Sequence, residues 1–376
     1  MNTKINLLNM NREELLNFFQ KIGEKPFRGY QIMKWIYHYY CNDFNQMTNL
    51  SINLKKKLAK ISEIRAPIIK KKQISLDGTI KWTMQVDTQE IETIYIPEIY
   101  RTTLCISSQI GCAVGCSFCA TAQQGFNRNL KVSEIVGQVW QISKTIQLNK
   151  NITHNKYSPI TNIVFMGMGE PLLNIKNVTS AIKIILDKLG FGISKRRITL
   201  STAGIVPGIE KLTDIVDIPI AISLHAPNDH IRSKIMPINN KYNISNILNS
   251  VNKYSKHFKS NHRRITIEYI LLNHVNDDIS HAHQLAKKLK GIPCKINLIP
   301  WNPIPNTPYT CSSRIRIHKF LQILLQYKIN TIIRKTRGAD INAACGQLTG
   351  TITNRINFNI SNCTNYTNNI AVNNIT

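Results

Sequence analysis

The sequence is short of acidic side chains: 21 Asp and Glu stand against 48 Lys and Arg, for a formal net charge of +27. Such an imbalance draws a polyanion, and nucleic acid is the first candidate. The abundance of Lys, Ile and Asn also fits an AT-biased composition, so charge alone leaves the partner open. No uninterrupted apolar run reaches membrane-spanning length, and no membrane partner is expected. Met1-Asn-Thr-Lys-Ile-Asn-Leu-Leu-Asn lacks the apolar core of a signal peptide, which points to the cytoplasm. Nine cysteines in 376 residues are too few and too uneven for a secreted disulfide framework. In a reducing compartment, clustered thiols are ligands or catalysts.

Three of them are clustered: Cys112, Cys116 and Cys119, in Gly111-Cys-Ala-Val-Gly-Cys-Ser-Phe-Cys-Ala. The run follows a strand-like segment, Thr103-Leu-Cys-Ile-Ser-Ser. Gaps of three and two residues let a short loop wrap its thiolates around three corners of a cubane iron–sulfur cluster. The fourth iron is then free to bind a small molecule and pass it an electron. A zinc knot is the alternative, but it needs a fourth ligand, usually from a second paired half-site, and the sequence has no second C-x-x-C pair.

Residues 1 to about 65 read as helical. Asn11-Arg-Glu-Glu14 resembles a capping box, and Tyr30–Tyr40 mixes aromatic with basic residues in a second helix, for packing or for base stacking. Thr79–Val86 and Ile91–Ile96 read as a hairpin closing a small N-terminal domain. From about residue 100, strand and helix alternate. Strands are predicted at Thr103–Ser107, Thr161–Met166, Arg197–Ser201, Ile218–Ser223, Arg264–Leu272 and Lys295–Ile299. Helices are predicted at Val132–Ile146, Ile175–Leu189, Ile244–Tyr254 and His281–Lys290. Six such units predict an α/β fold, a partial (β/α)6 barrel with functional groups at the C-terminal strand ends. Gly169, Glu170, Ser201, Ser223, Leu224, His225 and Asn302 fall there. A further strand, Asn330–Arg334, leads into a loop holding Cys345, and the Asn-rich tail from Thr351 is expected to be weakly ordered. The expected organisation is an RNA-binding N-terminal domain over 1–97, a barrel over 98–338, and the Cys345 loop with its tail over 339–376.

Longer strings carry a resemblance: Phe118-Cys-Ala-Thr-Ala-Gln-Gln-Gly-Phe-Asn-Arg128, Ala221-Ile-Ser-Leu-His-Ala-Pro-Asn-Asp229, Asn297-Leu-Ile-Pro-Trp-Asn-Pro303 and Arg334-Lys-Thr-Arg-Gly-Ala-Asp-Ile-Asn-Ala-Ala-Cys-Gly-Gln-Leu348. With Gly167-Met-Gly-Glu170-Pro, they resemble the RlmN/Cfr family of radical S-adenosylmethionine RNA methyltransferases, from about Ile5 to Gly350. The resemblance implies a radical-SAM barrel with one 4Fe-4S cluster on Cys112, Cys116 and Cys119, one iron being open. It implies two S-adenosylmethionine molecules per turnover, contacted by Gly169, Glu170, Ser201, Ser223, Leu224, His225 and Asn302. The implied reaction methylates adenine C2 in 23S rRNA and in tRNA. A first S-adenosylmethionine methylates Cys345, a 5′-deoxyadenosyl radical activates that methyl, Glu92 removes the C2 proton, and Cys105 releases the product through a transient disulfide. A flavodoxin-type electron donor and a monomer are also implied.

Bland readings stand beside these. Free cysteine is commonly buried, so Cys105 also reads as a small core residue. Glu92 also reads as a solvated strand end, and His225 as a packed histidine. Gln123–Arg128 reads as the outer wall of the cluster loop or as an RNA contact. The glycines Gly338 and Gly346 suit a mobile Cys345 loop. Lys55–Lys57, Lys70–Lys72, Arg334, Lys335 and Arg337 are candidate phosphate contacts. Adenine-C8 methylation, a glycyl-radical activating enzyme and a non-enzymatic RNA-binding protein with a structural metal are the competing functions.

Overall fold

The computed structural model describes residues 4–149, 159–257 and 265–352. The tail from residue 353, with Cys363, and position 264 of a predicted strand lie outside the described residues. Helix α1 (Arg12–Lys21) opens with the expected capping box: the Asn11 side chain accepts from the Glu14 amide, and Glu14 Oε2 accepts from the Asn11 amide at 2.8 Å. Such a cap contributes about 1 kcal/mol. Helix α2 (Arg28–Tyr37) buries Ile32, Met33, Ile36 and Tyr37, so its apolar face packs, while Tyr30 and Tyr39 stay exposed. Helix α3 (Ile52–Ile61) buries Leu54 and Leu58. Strands β1 (Ile5–Asn6) and β2 (Ser62–Glu63) pair in parallel and close this unit.

The unit docks on the barrel through α5 (Val132–Asn149), which follows the short α4 (Ala120–Gln123). Trp140 Nε1 donates to the Ile36 carbonyl at 2.7 Å, and the Ser133 amide to Asn9 Oδ1 at 2.8 Å. Arg12 pairs with Asp187 at the end of α6 (Ile175–Leu186).

Strands β3 (Ile68–Ile74), β4 (Ile80–Val86), β5 (Gln89–Pro97) and β6 (Thr102–Cys105) run antiparallel in sequence. The predicted hairpin is β4–β5, but it does not close a separate domain. Strand β5 is bonded to β6, with Ile94 opposite Cys105, so the sheet runs unbroken across residue 97. Ile91 to Tyr95 are all buried, as expected of a strand covered on both faces rather than one with a solvated side. Lys70, Lys71 and Lys72 sit on the exposed edge strand β3, where charge also deters edge pairing.

After β6, the short β7 (Gln109–Gly111) and β8 (Phe126–Asn129) form a two-stranded sheet bracketing the cysteine loop. The parallel part continues through β9 (Asn162–Phe165), β10 (Ile198–Thr202), β11 (Ile220–Ser223), β12 (Ile265–Leu271), β13 (Cys294–Pro300) and β14 (Asn330–Ile333). All six predicted barrel strands are present, with β14 as the further parallel strand in a ten-stranded sheet. The predicted helices correspond to α5, α6, α9 (Ile244–His257) and α10 (Ile279–Lys288). Three more complete the shell: α7 (Val206–Ile215), α8 (Asp229–Ile235) and α11 (Arg314–Gln326). Helix α7 escapes a pattern reading because Pro207-Gly208 resembles a turn, although proline suits a first helical turn.

Candidate active site

The cysteine loop begins where two backbones nearly touch. Gly111 has φ +72°, and a Cβ there would lie 1.9 Å from the Gly125 carbonyl oxygen, which accepts instead from the Cys112 amide at 2.8 Å. The Gln123–Arg128 run is anchored beside the cysteine loop. Gln124 and Gly350 exchange two hydrogen bonds, and Arg128 grips Glu134 with both nitrogens at 2.7 and 2.8 Å. Trp301 Nε1 donates to the Phe118 carbonyl, tying the Asn297–Pro303 string to the same loop.

Cys112, Cys116 and Cys119 line one cavity of about 140 Å³. Burial pushes the Cys112 and Cys116 thiols well up, and the neighbouring thiols push them further. Thiolates crowded in this way call for a cationic partner. A cubane takes three sulfurs on separate corners, and three thiols around one cavity are the donor set it needs.

Gly169, Glu170, Ser201, Ser223 and His225 line the same cavity. Gly169, at φ +97°, has no room for a side chain: a Cβ would sit 2.4 Å from Gln109 Cβ. Glu170 is 3% exposed and burial raises its pKa to about 7, against hydrogen bonds from the amides of Ala203 and Leu172. A cationic ammonium beside it would restore the carboxylate. His225 accepts from the Ile270 amide at Nδ1, 3.0 Å, and burial lowers its pKa to about 3, so it is neutral. It stands edge-on to Phe118 at 5.1 Å and is both packed and cavity-lining. Leu224 is fully buried beside the lining rather than in it.

A second cavity of about 340 Å³ adjoins the first. Cys105, Glu268, Asn297, Asn302, Arg334 and Cys345 are among its walls, and Glu268, Arg334 and Cys345 belong to both. Asn302 therefore faces the larger cavity, where its Nδ2 donates to the Cys345 carbonyl at 3.1 Å. The Cys345 loop is tethered rather than free. The Gly346 carbonyl accepts from the Ala120 amide at 2.8 Å, Thr121 Oγ1 donates to the Leu348 carbonyl at 2.7 Å, and Gln347 reaches Pro303. Its positive-φ residues, Gly338, Asn342 and Gly346, shape the turn. Cys345 lines both cavities from this one position.

Burial pushes the Cys105 thiol up to about 12, with Arg334 opposing and Cys345 adding to the shift. Cys345, though exposed, is raised by desolvation in the cavity and eased by Arg334. Arg334 is thus a cation inside the site, 3.9 Å from Glu268, rather than only a surface phosphate contact. Glu92 is 4% exposed, not a solvated strand end. Burial raises its pKa, while Lys81 at 3.0 Å and the Thr349 amide at 2.8 Å oppose the rise. It shares a strand face with Ile94 and Ile96, which line the larger cavity, but is not itself among the lining residues.

Residues 5–64 match the family described as the ribosomal RNA large subunit methyltransferase N-terminal domain, and residues 106–286 match the radical SAM superfamily. The crystal structure of a radical SAM methyltransferase from Sphaerobacter thermophilus is 38% identical; the match covers 92% of this chain and 99% of that one, with a TM-score of 0.84. The chain belongs to the RlmN/Cfr family of radical SAM methyltransferases. A domain of pyruvate-formate lyase-activating enzyme from Bacteroides vulgatus, 19% identical over 46% of this chain and 99% of that one, has a TM-score of 0.36, too low to bear on function. As a radical SAM protein, this RlmN/Cfr-family member uses a 4Fe-4S cluster and S-adenosylmethionine, which Cys112, Cys116, Cys119 and the smaller cavity would hold.

Pattern reading of this RlmN/Cfr-family chain missed two features. Arg232 is fully buried and donates to the carbonyls of Ala203, Ser223, Leu224 and Tyr242 and to Asn239, binding the ends of β10 and β11 together. Nothing in its helical context marks it as internal. Glu268, buried, and Asn297, half-buried, form a polar pair across β12 and β13, at positions where a barrel strand would ordinarily be apolar.

Proposed function

We propose that the protein methylates C2 of an adenine in RNA, in the peptidyl transferase centre of 23S rRNA and beside the anticodon of some tRNAs, through a methyl carried on Cys345. The observation that carries this reading is the place of Cys345 on the wall shared by both cavities, with Cys105 opening onto the larger one alone. Adenine C2 has no lone pair to attack an electrophilic methyl, so direct displacement fails and a carrier is needed.

The cluster and S-adenosylmethionine, when bound, supply an electrophilic methyl and a hydrogen-abstracting radical. Cys345 faces that cavity, and its sulfur takes the methyl with loss of its proton, Arg334 favouring the thiolate. Once a hydrogen is removed from the S-methyl group, its carbon bonds to C2 in the larger cavity. The unpaired electron this places on the ring passes to the oxidised form of a flavodoxin-type donor, leaving a closed-shell thioether once the C2 proton is lost. Glu92 takes the C2 proton; its raised pKa suits a base that must hold one. Cys105 Sγ then attacks Cys345 Sγ. The sulfur–sulfur bond forms as the carbon–sulfur bond breaks, the freed carbon is protonated to a methyl, and an external reductant of the flavodoxin type restores both thiols. The eight cysteines among the described residues are all free, the state in which such a cycle begins.

The basic charge supports an RNA substrate, as does the match of residues 5–64 to a ribosomal RNA methyltransferase domain. A base reaching a cavity at the strand ends has to leave its stack. The test is anaerobic reaction with unmodified rRNA and tRNA, followed by digestion to nucleosides. We expect 2-methyladenosine; 8-methyladenosine would transfer the protein to the C8-methylating branch, and no methylated adenosine would reject the reading.

A further inference from the structure

We propose that Glu268 and Asn297 together read the 6-amino group of the target adenine. The two are direct register partners on β12 and β13, and Asn297 Nδ2 donates to Glu268 Oε1 at 2.8 Å. That bond fixes the amide and turns its oxygen away from the shared contact. Two acceptors remain, Asn297 Oδ1 and Glu268 Oε2, both buried and both without a hydrogen-bond partner among the described residues. Arg334 Nη1 lies 3.9 Å from Glu268 Oε2, close enough to balance its charge but too far to donate. Glu268 is only 3% exposed, and a buried acceptor left unmade is costly unless a ligand completes it.

Both residues line the cavity that also holds Cys105 and Cys345. Paired acceptors select a group with two donors, which the exocyclic amine of adenine is. Guanine and hypoxanthine place a carbonyl oxygen there instead, facing two oxygens. In adenine, C2 and the 6-amino group flank N1 on one edge. A base held by its amine here presents C2 within the cavity whose walls include both catalytic sulfurs. Glu268 and Cys345 are near enough to influence each other's ionisation, consistent with that span. The competing donor is a ribose hydroxyl of the cofactor, because Glu268 also borders the smaller cavity. Asn297 borders only the larger one, which favours the base.

This rests on the reading of the substrate as an adenine in RNA. The test uses the reconstituted, full-length protein and short RNA hairpins carrying adenine, purine (no 6-amino group) or hypoxanthine at the target position. Affinity is read by fluorescence anisotropy at fixed salt. Wild type is expected to bind the adenine hairpin about tenfold or more tightly than the purine hairpin, since hydrogen bonds to a charged acceptor are strong ones. Glu268→Gln is expected to reduce that ratio to within about twofold, leaving affinity for the purine hairpin and for S-adenosylmethionine unchanged, because its amide can turn a donor toward the amine. Asn297→Ala, a second route if the Gln variant folds poorly, should lower the ratio about threefold or more. Equal binding of adenine and purine by wild type overturns the proposal. So does a Glu268→Gln protein that keeps the full ratio but loses S-adenosylmethionine affinity, which would give the carboxylate to the cofactor. Methylation is scored separately: its absence from the adenine hairpin rejects the functional reading, whereas methylation without discrimination rejects only the pocket assignment.

Discussion

At the scale of single residues, the sulfurs divide the labour, and substitution should separate their roles. Cys345→Ala is expected to abolish methyl transfer while the cluster remains and S-adenosylmethionine is still cleaved, because the three cluster thiols sit on another loop; iron content and 5′-deoxyadenosine yield measure this. Normal methylation by that variant would eliminate the carrier role. Cys105→Ala should trap a covalent protein–RNA species on a denaturing gel, since release needs the second thiol. Glu92→Gln should slow turnover by about 10²- to 10⁴-fold, the usual value of a positioned base. The cluster loop was legible in sequence because its ligands are local, within eight positions. Glu268 and Asn297 were not, because they meet across 29 residues of chain and only the strand register brings them together. The burial of Glu92 was equally hidden. Its partners, Lys81 and the Thr349 amide, come from an adjacent strand and from the chain beyond Cys345.

At the scale of elements, the site depends on strand ends held in place by buried polar clamps. One anchors the loop after β12 to α11: Arg316 holds Asp277 through two bonds of 2.7 and 2.8 Å, and the Asp277 side chain is fully buried. Burial alone would raise the Asp277 pKa, but hydrogen bonds from the Arg316 guanidinium and the His274 amide more than offset it, and the net shift is downward. A depressed carboxyl contributes stability above its unfolded pKa and loses it as pH falls through the folded one. Asp277→Asn should therefore cost about 2 kcal/mol near neutrality and flatten the acid limb of the stability profile, as read from urea midpoints across pH. Equal midpoints for the two proteins at neutral pH would count against the clamp. The alternation of strands and helices was legible because a parallel barrel repeats one pattern. Helix α11 escaped notice because Arg314, Arg316, His318 and Lys319 dilute its apolar face.

For the whole molecule, charge and continuity matter most. An excess of +27 spread over the surface should make RNA binding steeply salt-dependent. We expect affinity to fall at least about 100-fold between roughly 50 and 200 mM salt, measured by anisotropy. A flat response would mean that base contacts, not phosphates, carry the affinity. The partial barrel was legible from the rhythm of the chain, and the chemistry from long strings around its cysteines. Sheet continuity across residue 97 was not, because Glu92 and Thr93 interrupt the apolar run of Ile91–Ile96 as though the strand met water there. In the fold, Thr93 instead bonds Gln138 on α5, and Glu92 meets Lys81.

That continuity bears on how such enzymes can be recombined. A chimera joined at residue 97 would strip β6 of its neighbour and leave a raw strand edge prone to misassembly. The natural splice point for exchanging the N-terminal helical unit lies upstream, between β2 and β3, where no sheet is cut and only helix docking must be rebuilt.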